Sequence, residues 1–349
     1  MHGNEPSLTS AEPEAILRLS GVSFAHGGQT VLHGIDLALV AGTLTTLLGP
    51  SGSGKTTLLR IIAGHLQPAP GTVWLGGQNA THFPPEERGL GMVHQHLALF
   101  PHLSARRNIS FGLEVRGVPR REACSRADAT LDLVGLEVTA RDRLPDTLSG
   151  GQKQRVAIGR ALAFGPKLLL LDEPFTALDR QLRQQMRGEL KRIQRESGVT
   201  TLLVTHDQEE ALGLSESIIA LRDGRVVQQG APAELYQRPR DPWLAGFLGD
   251  ANLVTTGIFM RSQPGEVLLV RPEELLPGTR RDHGDGDCPL IGQAHSVSFR
   301  GASCLVTFEA DGLFWKMLVP GENSPRVGDR IESILPATAG WNISRGCRP

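Results

Sequence analysis

Residues 49–56 constrain the fold more than any other part of the chain, because they fit the pattern G-x-x-x-x-G-K-T. A short strand-like run at residues 45–48 precedes them and a helix-like stretch at 57–63 follows, which is the strand–loop–helix context that this pattern requires. Glycines let successive backbone N–H groups turn inward around a phosphate, and the dipole of the following helix favours the negative charge. The pattern therefore predicts an α/β fold built around a phosphate-binding loop, called here the phosphate loop.

Length and charge narrow the class of protein. The chain has 349 residues, enough for two domains, and its formal net charge of −1 does not favour nucleic acid as a partner. No apolar run approaches the roughly 20 residues that a membrane span needs, so we expect any membrane role to depend on a partner. Residues 1–14 lack a signal-peptide pattern and are expected to form a disordered leader. The four cysteines are far apart and lack metal-ligand spacing, which is typical of a reducing, cytosolic compartment.

Short apolar runs alternate with helical patterns from residue 15 onward, which is typical of βα units around a largely parallel sheet. Residues 168–171 are all leucine, as expected for a strand buried on both faces. Residues 97–165 hold helical stretches and few strand candidates, and they predict a helical insertion. We expect strands at residues 16–19, 35–39, 45–48, 71–75, 167–171 and 201–205, and a hairpin over 218–228.

The character of the chain changes near Pro239 and Pro242. Short β-like runs then alternate with turns rich in Gly, Pro and Asp, at residues 266–270, 292–299, 303–309, 314–319 and 329–334. They predict a small all-β barrel of the oligonucleotide/oligosaccharide-binding type. The expected domains are an α/β domain over residues 15–241, with its helical insertion at about 97–165, and a β domain over 252–349.

Two adjacent carboxylates, Asp172 and Glu173, end the leucine-rich strand. Side chains alternate in direction along a strand, so one carboxylate can face a metal ion while the next faces a water molecule. Asp172 would hold Mg²⁺ and Glu173 would polarise the attacking water. In the phosphate loop, Lys55 would reach the β- and γ-phosphates and the hydroxyl of Thr56 would bind Mg²⁺. The two motifs together predict hydrolysis of a nucleoside triphosphate.

A pentapeptide, Leu148-Ser149-Gly150-Gly151-Gln152, lies about 20 residues before the acidic strand end and begins a helix-like stretch. Alone it would most often be a plain helix cap. Between these two motifs it resembles the signature of the ATPase subunits of ABC transporters, and the resemblance covers about residues 15–345, strongly to 240 and more loosely beyond. It implies ATP as the nucleotide and a head-to-tail homodimer, in which Ser149 and the N–H of Gly151 contact the γ-phosphate held by the other copy.

The resemblance also assigns roles to single residues. Gln95 would contact Mg²⁺ or the lytic water, His206 would contact the γ-phosphate, and Asp179 would act across the dimer interface. The implied catalytic residues are Glu173, His206 and Gln95, and the implied metal ligands are Thr56, Gln95 and Asp172. The implied nucleotide-binding residues are His26, Gly49, Pro50, Ser51, Gly52, Ser53, Gly54, Lys55, Thr56, Thr57, Ser149, Gly150, Gly151, Gln152 and Asp179.

One position departs from the family's pattern. In many relatives a Tyr or Phe just before a glycine near the N-terminus stacks on adenine, and His26, before Gly27, is the equivalent here. An imidazole can stack, but over a smaller face than Tyr or Phe offers. Phe24 could substitute only if the register slips by two residues.

The second domain, with Val270-Arg271-Pro272-Glu273 near its start, and residues 95–102 resemble the ATPases of bacterial importers for metal oxyanions, sulfate, iron(III), polyamines and sugars. This implies polytopic membrane permease subunits as partners, an extracytoplasmic substrate-binding protein as an indirect one, and a peripheral place at the cytoplasmic face of the inner membrane. Residues 99–102, Leu-Phe-Pro-His, favour iron(III) or polyamine as cargo. Sulfate, molybdate, phosphonate, thiamine and sugar stay open, as does the class of non-transport ABC ATPases or regulatory proteins.

Overall fold

The computed structural model describes residues 15–255, 266–278 and 286–344, in two compact units that meet between Pro232 and Ala233. The expected leader, residues 1–14, lies outside the described residues, as do residues 256–265, 279–285 and 345–349 of the expected β domain. The predicted domain boundaries at 241 and 252 stay predictions.

The first unit contains ten strands and six helices among its described residues. The strands are β1 (Ala15–His26), β2 (Gln29–Val40), β3 (Leu44–Leu48), β4 (Thr72–Leu75), β5 (Gln78–Asn79), β6 (Leu90–Val93), β7 (Leu168–Asp172), β8 (Thr200–Thr205), β9 (Ser217–Arg222) and β10 (Arg225–Gly230). The helices are α1 (Lys55–Ala63), α2 (Ala105–Val115), α3 (Arg120–Leu133), α4 (Gly150–Leu162), α5 (Arg180–Ser197) and α6 (Gln208–Leu214).

A six-stranded sheet lies at the centre of this unit, in the order β10-β9-β3-β8-β7-β6. Every neighbouring pair is parallel except β9 and β10, which form the predicted hairpin. A second sheet, β2-β1-β4-β5, is antiparallel. The fold class is therefore the predicted one, a mainly parallel α/β sheet with an antiparallel β subdomain.

The leucine run in β7 separates two hydrophobic layers. Leu168 and Leu170 pack in the layer that contains the apolar side chains of α1, whereas Leu169 and Leu171 pack in the layer that contains those of α4 and α5. All four are buried, because the sheet is covered on both faces. The helix that follows the phosphate loop and the helix that begins in the signature pentapeptide thus lie on opposite faces of the central sheet.

The predicted helical insertion is confirmed as α2, α3 and α4, which pack on one another. Helix α4 approaches α2 closely at Gly159, where a Cβ atom would lie 2.9 Å from Ile109 Cδ1. Among the described residues, no helix combines the length and the apolar character needed to span a membrane.

The second unit is a β structure preceded by two short helices. The helices are α7 (Pro232–Gln237), which starts at the boundary, and α8 (Pro242–Leu248). The strands are β11 (Asn252–Thr255), β12 (Glu266–Val270), β13 (Leu276–Pro277), β14 (Cys288–Phe299), β15 (Ser303–Ala310), β16 (Leu313–Pro320), β17 (Arg330–Leu335) and β18 (Trp341–Ser344). They form two sheets, β11-β12-β18 and β13-β17-β14-β15-β16, around a core that includes Trp315 and Phe308.

Five of these strands correspond to the predicted β-like runs, although β17 begins one residue after the predicted run at 329–334, and the region is consistent with the expected OB-like domain. Arg271, from the Val-Arg-Pro-Glu segment, has a structural role here. Its buried guanidinium donates to the backbone carbonyls of Tyr236, Ala245 and Asp250 at 2.7–2.9 Å. Tyr236 and Ala245 lie among the last four residues of α7 and α8, and Asp250 follows α8. Arg271 therefore binds carbonyls of the kind that helix ends leave unpaired.

Candidate active site

The phosphate loop joins β3 to α1 at the carboxyl edge of the central sheet. Its backbone passes so close to β9 that a Cβ atom at Gly49 would lie 2.3 Å from the carbonyl oxygen of Leu221. Gly54, directly before the helix, has φ +101°, a conformation that side chains rarely adopt. The backbone path therefore requires both glycines of the sequence pattern. The N-terminus of α1 follows directly from the loop.

Lys55 folds its side chain back onto the phosphate loop. Its side chain is buried, and Nζ donates to the carbonyl oxygens of Gly49 and Pro50, each at 2.8 Å. Burial lowers the pKa of Lys55, while the nearby carboxylates of Glu173 and Asp172 oppose that change. The ammonium group thus binds the loop backbone and lies within electrostatic range of the acidic pair.

Ser53 supplies a second mark of a ligand site. Its Oγ is buried and has no hydrogen-bond partner within the described part of the chain. Buried hydroxyl groups in native proteins normally have a partner, and an exception calls for an explanation. A bound phosphate would provide one, so the residues of the loop fit a phosphate group.

The acidic pair follows β7 as predicted. Asp172 is half-buried, and burial, together with repulsion from Glu173, raises its pKa. Glu173 has φ +46°, which is unusual for a residue other than glycine, and its N–H donates to the carbonyl of Val204 at 3.0 Å. Such backbone strain is concentrated at functional sites, where the surroundings enforce it.

Glu173 connects two other loops. His206 Nδ1 lies 3.2 Å from Glu173 Oε1, and the hydroxyl of Thr176 donates to Glu173 Oε2 at 3.2 Å. The sequence predicted roles for Glu173 and His206 separately. It did not predict the contact from Thr176, although the spacing of three residues after the glutamate was a usable signal.

Parallel register explains why residues distant in sequence meet here. Leu48 pairs with Thr205, Val204 with Asp172, and Leu171 with Val93. The residues that follow β3, β6, β7 and β8 therefore emerge at one edge of the sheet, where open α/β sheets bind their ligands. Gln95, two residues beyond β6, is exposed at this edge.

Comparison with known proteins identifies the family to which the chain is similar. A family model described as "ABC transporter" matches residues 32–176. The sulfate/thiosulfate import ATP-binding protein of Thermosynechococcus vestitus is 44% identical, over 76% of this chain and 79% of the relative. The spermidine/putrescine import ATP-binding protein of Marinobacter nauticus is 50% identical, over 80% and 73%. The Fe(3+) ions import ATP-binding protein of Rhizobium meliloti is 45% identical, over 90% and 86%.

The chain belongs to the ABC transporter family. It is an ABC ATPase, and its nucleotide is ATP. Among solved structures, a dimeric ATP-binding cassette in a post-hydrolysis state, bound to ADP and Pi, has 33% sequence identity and a TM-score of 0.55, covering 62% of this chain and 98% of that one.

The signature pentapeptide of this ABC ATPase forms the start of α4. Ser149 is the N-cap, its Oγ accepts from the N–H of Gln152 at 3.3 Å, and Gln152 Oε1 accepts from the N–H of Ser149 at 3.0 Å. This reciprocal capping box satisfies two N–H groups within the segment itself. Gly151 is buried, and a Cβ atom there would lie 3.0 Å from Leu182 of α5, which accounts for the small residue.

Asp179 caps the neighbouring helix, since its Oδ1 accepts from the N–H of Leu182 at 2.9 Å. The residue itself is exposed. The structure therefore brings the phosphate loop, Asp172, Glu173 and His206 together, whereas Ser149 begins a helix on the other face of the sheet from α1. The roles assigned to Ser149 and Asp179 stay predictions.

The adenine position remains a prediction as well. His26 is exposed at the end of β1 and pairs with Gln29 across a turn that contains Gly27 and Gly28. Phe24, the alternative, packs against the hydrophobic layer of α1. Its ring is occupied by core contacts, which favours His26 over Phe24.

Proposed function

We propose that this ABC ATPase is the ATP-hydrolysing subunit of an importer and works as a head-to-tail homodimer. The observation that carries the proposal is the placement of α1 and α4 on opposite faces of the central sheet. Since the helix that begins in the signature pentapeptide lies on the other face of the sheet from α1, a second copy would supply the phosphates that Ser149 contacts. The dimeric cassette among the similar structures supports this assembly.

The residues at the sheet edge fit Mg²⁺ together with ATP. A hydroxyl from Thr56, a carboxylate from Asp172 and an amide oxygen from Gln95 are the hard oxygen ligands that Mg²⁺ prefers. The raised pKa of Asp172 indicates a carboxylate that would gain from a nearby cation. Within the described residues, no three His, Cys, Asp or Glu side chains are arranged to hold a metal alone. When bound, Mg²⁺ would neutralise charge on the phosphate oxygens.

The remaining residues have proposed roles in hydrolysis. Lys55 and the inward N–H groups of the phosphate loop would hold the β- and γ-phosphates. Glu173 would orient the attacking water and accept its proton at a carboxylate oxygen. His206, whose Nδ1 contacts Glu173 Oε1, would approach the γ-phosphate. Glu173, the proposed proton acceptor, and His206 are already within hydrogen-bond distance of each other.

A surface on the helical insertion supports docking to membrane permease subunits. Phe100 and Phe111 meet edge to face with ring centres 5.1 Å apart, and Phe111 and Val115 are exposed by 39% and 71%. Arg160 lies over Phe100 and donates to the carbonyls of Leu97 and Ala98. An exposed apolar patch held in place in this way is typical of a protein contact surface.

The subunit would therefore lie peripherally at the cytoplasmic face of the inner membrane, with an extracytoplasmic substrate-binding protein as an indirect partner. We propose iron(III) or polyamine as cargo, supported by residues 99–102 and by the names of two relatives. The sulfate/thiosulfate relative has a similar identity of 44%, so sulfate remains the first alternative. Substrate binding by the partner protein would decide among them.

The assembly is tested by Glu173→Gln, which keeps the size of the side chain and removes the proton acceptor. We expect hydrolysis to fall by roughly 10²–10⁴-fold, and Mg-ATP to convert the variant from monomer to dimer in size-exclusion chromatography with light scattering. Glu196→Gln, at an exposed site near the end of α5, is the matched control. A Glu173→Gln protein that stays monomeric with Mg-ATP would contradict the shared site.

The importer role is tested separately, by affinity purification of the tagged chain from native membranes. Recovery of a polytopic membrane protein, lost on mutation of Phe111 and Val115 to serine, is the expected result. Purification without any such protein would favour a non-transport ABC ATPase or a regulatory protein.

A further inference from the structure

Helix α5 carries two arginines one turn apart, Arg183 and Arg187, on the side that meets α6. The Arg183 guanidinium contacts two loops at once. Its Nη2 donates to the carbonyl oxygen of Leu178 at 3.2 Å, and its Nη1 lies 3.5 Å from Asp207 Oδ2. We call the first loop, residues 176–179, the Asp179 loop, and the second, residues 205–207, the His206 loop.

Arg187 holds the His206 loop from the same side. Its Nη2 donates to Asp207 Oδ2 at 2.9 Å and lies 3.5 Å from Glu210 Oε1. The buried Glu210 accepts a hydrogen bond from the hydroxyl of Thr205 at 2.7 Å, and that hydroxyl accepts from the N–H of Asp207 at 3.0 Å. Thr205 and Asp207 flank His206, so both neighbours of the histidine are held in a charged, partly buried network.

The other end of this network is the catalytic carboxylate. His206 contacts one oxygen of Glu173 and Thr176 contacts the other, each at 3.2 Å. Thr176 begins the Asp179 loop, whose Leu178 carbonyl is held by Arg183. The contacts therefore form a closed ring that runs from the Asp179 loop through Arg183 to the His206 loop, and through Glu173 back to the Asp179 loop.

We propose that Arg183 is a positioning residue that makes the placement of His206 depend on the placement of the Asp179 loop. This rests on the proposed function, because the second copy of the chain is what would displace that loop through Asp179. Formation of the dimer would then set His206 and Glu173 for hydrolysis, while a lone subunit would hold ATP without that adjustment. Arg183 contacts none of the reacting atoms. Arg187 anchors the His206 loop, on which Arg183 acts.

The test uses the 349-residue chain with Arg183→Gln, in which the neutral side chain loses its charge-assisted contact to Asp207. We expect kcat for ATP to fall about tenfold while KM changes by less than about twofold, since a positioning residue acts on the chemical step. Hydrolysis is measured in single turnovers with radiolabelled ATP, which resolves slow variants. Arg183→Lys should recover only part of the rate, because a single ammonium cannot replace a fork that spans two acceptors.

Coupling to His206 is tested by a double-mutant cycle. The Arg183→Gln, His206→Ala protein should be no slower than His206→Ala alone, because both changes remove the same step. Losses that multiply, or an unchanged kcat in Arg183→Gln, would overturn the proposal. Arg195→Gln, an exposed arginine on the same helix, is the matched control and should keep its rate. Circular-dichroism melting curves check that each variant is folded.

The outcome is distinguishable from a failure of the proposed function. Arg183→Gln in the Glu173→Gln background should still form the ATP-dependent dimer, because the phosphate loop and the signature pentapeptide are unchanged. If Glu173→Gln alone does not dimerise, the shared site fails. If it dimerises and Arg183→Gln hydrolyses ATP at the normal rate, only the role of Arg183 fails.

Discussion

The phosphate loop and the signature pentapeptide both begin a helix, yet they differ in how far the chain satisfies their polar groups. In the phosphate loop Ser53 Oγ is buried without a partner among the described residues, and Lys55 binds the carbonyls of the loop itself. In the signature pentapeptide Ser149 and Gln152 satisfy each other in a capping box. The polar groups of a single chain thus favour a ligand at the first segment, whereas the second resembles an ordinary helix start.

The difference has an energetic side. An unsatisfied buried polar group costs about 1–3 kcal/mol, so the phosphate loop is a poor structural element that gains from a ligand. A helix cap such as Ser149 contributes about 0.5–2 kcal/mol to the folded state without any ligand. The phosphate-binding role proposed for Ser149 would therefore depend on a second copy, and variants of the two segments should separate ATP binding by one chain from hydrolysis by two.

The largest effect in this comparison is expected for Lys55→Gln. Loss of a charge-assisted contact to phosphate should weaken ATP binding by the single chain about 10–100-fold. The measurement is titration of the purified chain with a fluorescent ATP analogue. Lys167→Gln, an exposed lysine just before β7, is the control. An affinity that does not change would mean that the ammonium inside the loop serves only to hold Gly49 and Pro50.

A smaller effect of a different kind is expected for Ser149→Ala. ATP binding by the single chain should change by less than about twofold, while the hydrolysis rate falls about tenfold because a contact in the closed dimer is lost. The variant also loses its cap, at about 0.5–2 kcal/mol of unfolding free energy. Ser104→Ala is a matched control, since Ser104 caps α2 by accepting from the N–H of Arg107. Equal losses of hydrolysis in both variants would assign the effect to capping.

Alkaline pH should weaken ATP binding at the phosphate loop by about threefold, through deprotonation of Lys55. The signature pentapeptide should not contribute to this change. Burial lowers the pKa of Lys55, against the opposing effect of Glu173 and Asp172, and a bound phosphate would raise this pKa again. ATP binding then takes up a proton in the window between the free and bound pKa values, so affinity falls as pH rises through it and is flat below it. Titrations at increasing pH should show this branch in the unchanged chain and in Ser149→Ala, and not in Lys55→Gln.

The sequence predicted the fold and the sheet-edge site because both depend on short-range patterns. The leucine run at 168–171 and the hairpin at 218–228 appear as β7 and as β9 with β10. Strand β6 was missed, since it is four residues long and contains Gly91, which usually weakens a strand. A Cβ atom there would lie 2.4 Å from the carbonyl of Ala161. The glycine is therefore required by the close approach of α4, which is distant in sequence.

The network of Arg183, Arg187 and Asp207 could not be predicted for a related reason. Arginines are frequent in this chain, and spacing alone does not show which of them meets a carboxylate on another helix. The contact depends on the packing of α5 against α6, which is a tertiary property. Short runs and motif spacings thus located the elements and the motifs, and the links between motifs needed the structure.

The smallest expected effect concerns the base of the nucleotide, which neither the phosphate loop nor the signature pentapeptide is proposed to contact. His26 is exposed at the end of β1, whereas Phe24 packs against the hydrophobic layer of α1. His26→Tyr should keep ATP affinity or tighten it by up to about threefold, because a phenol ring offers a larger stacking face than an imidazole. The titration used for Lys55→Gln measures it, with His82→Tyr at another exposed histidine as the control. A large loss of affinity in His26→Tyr alone would place the adenine away from the end of β1.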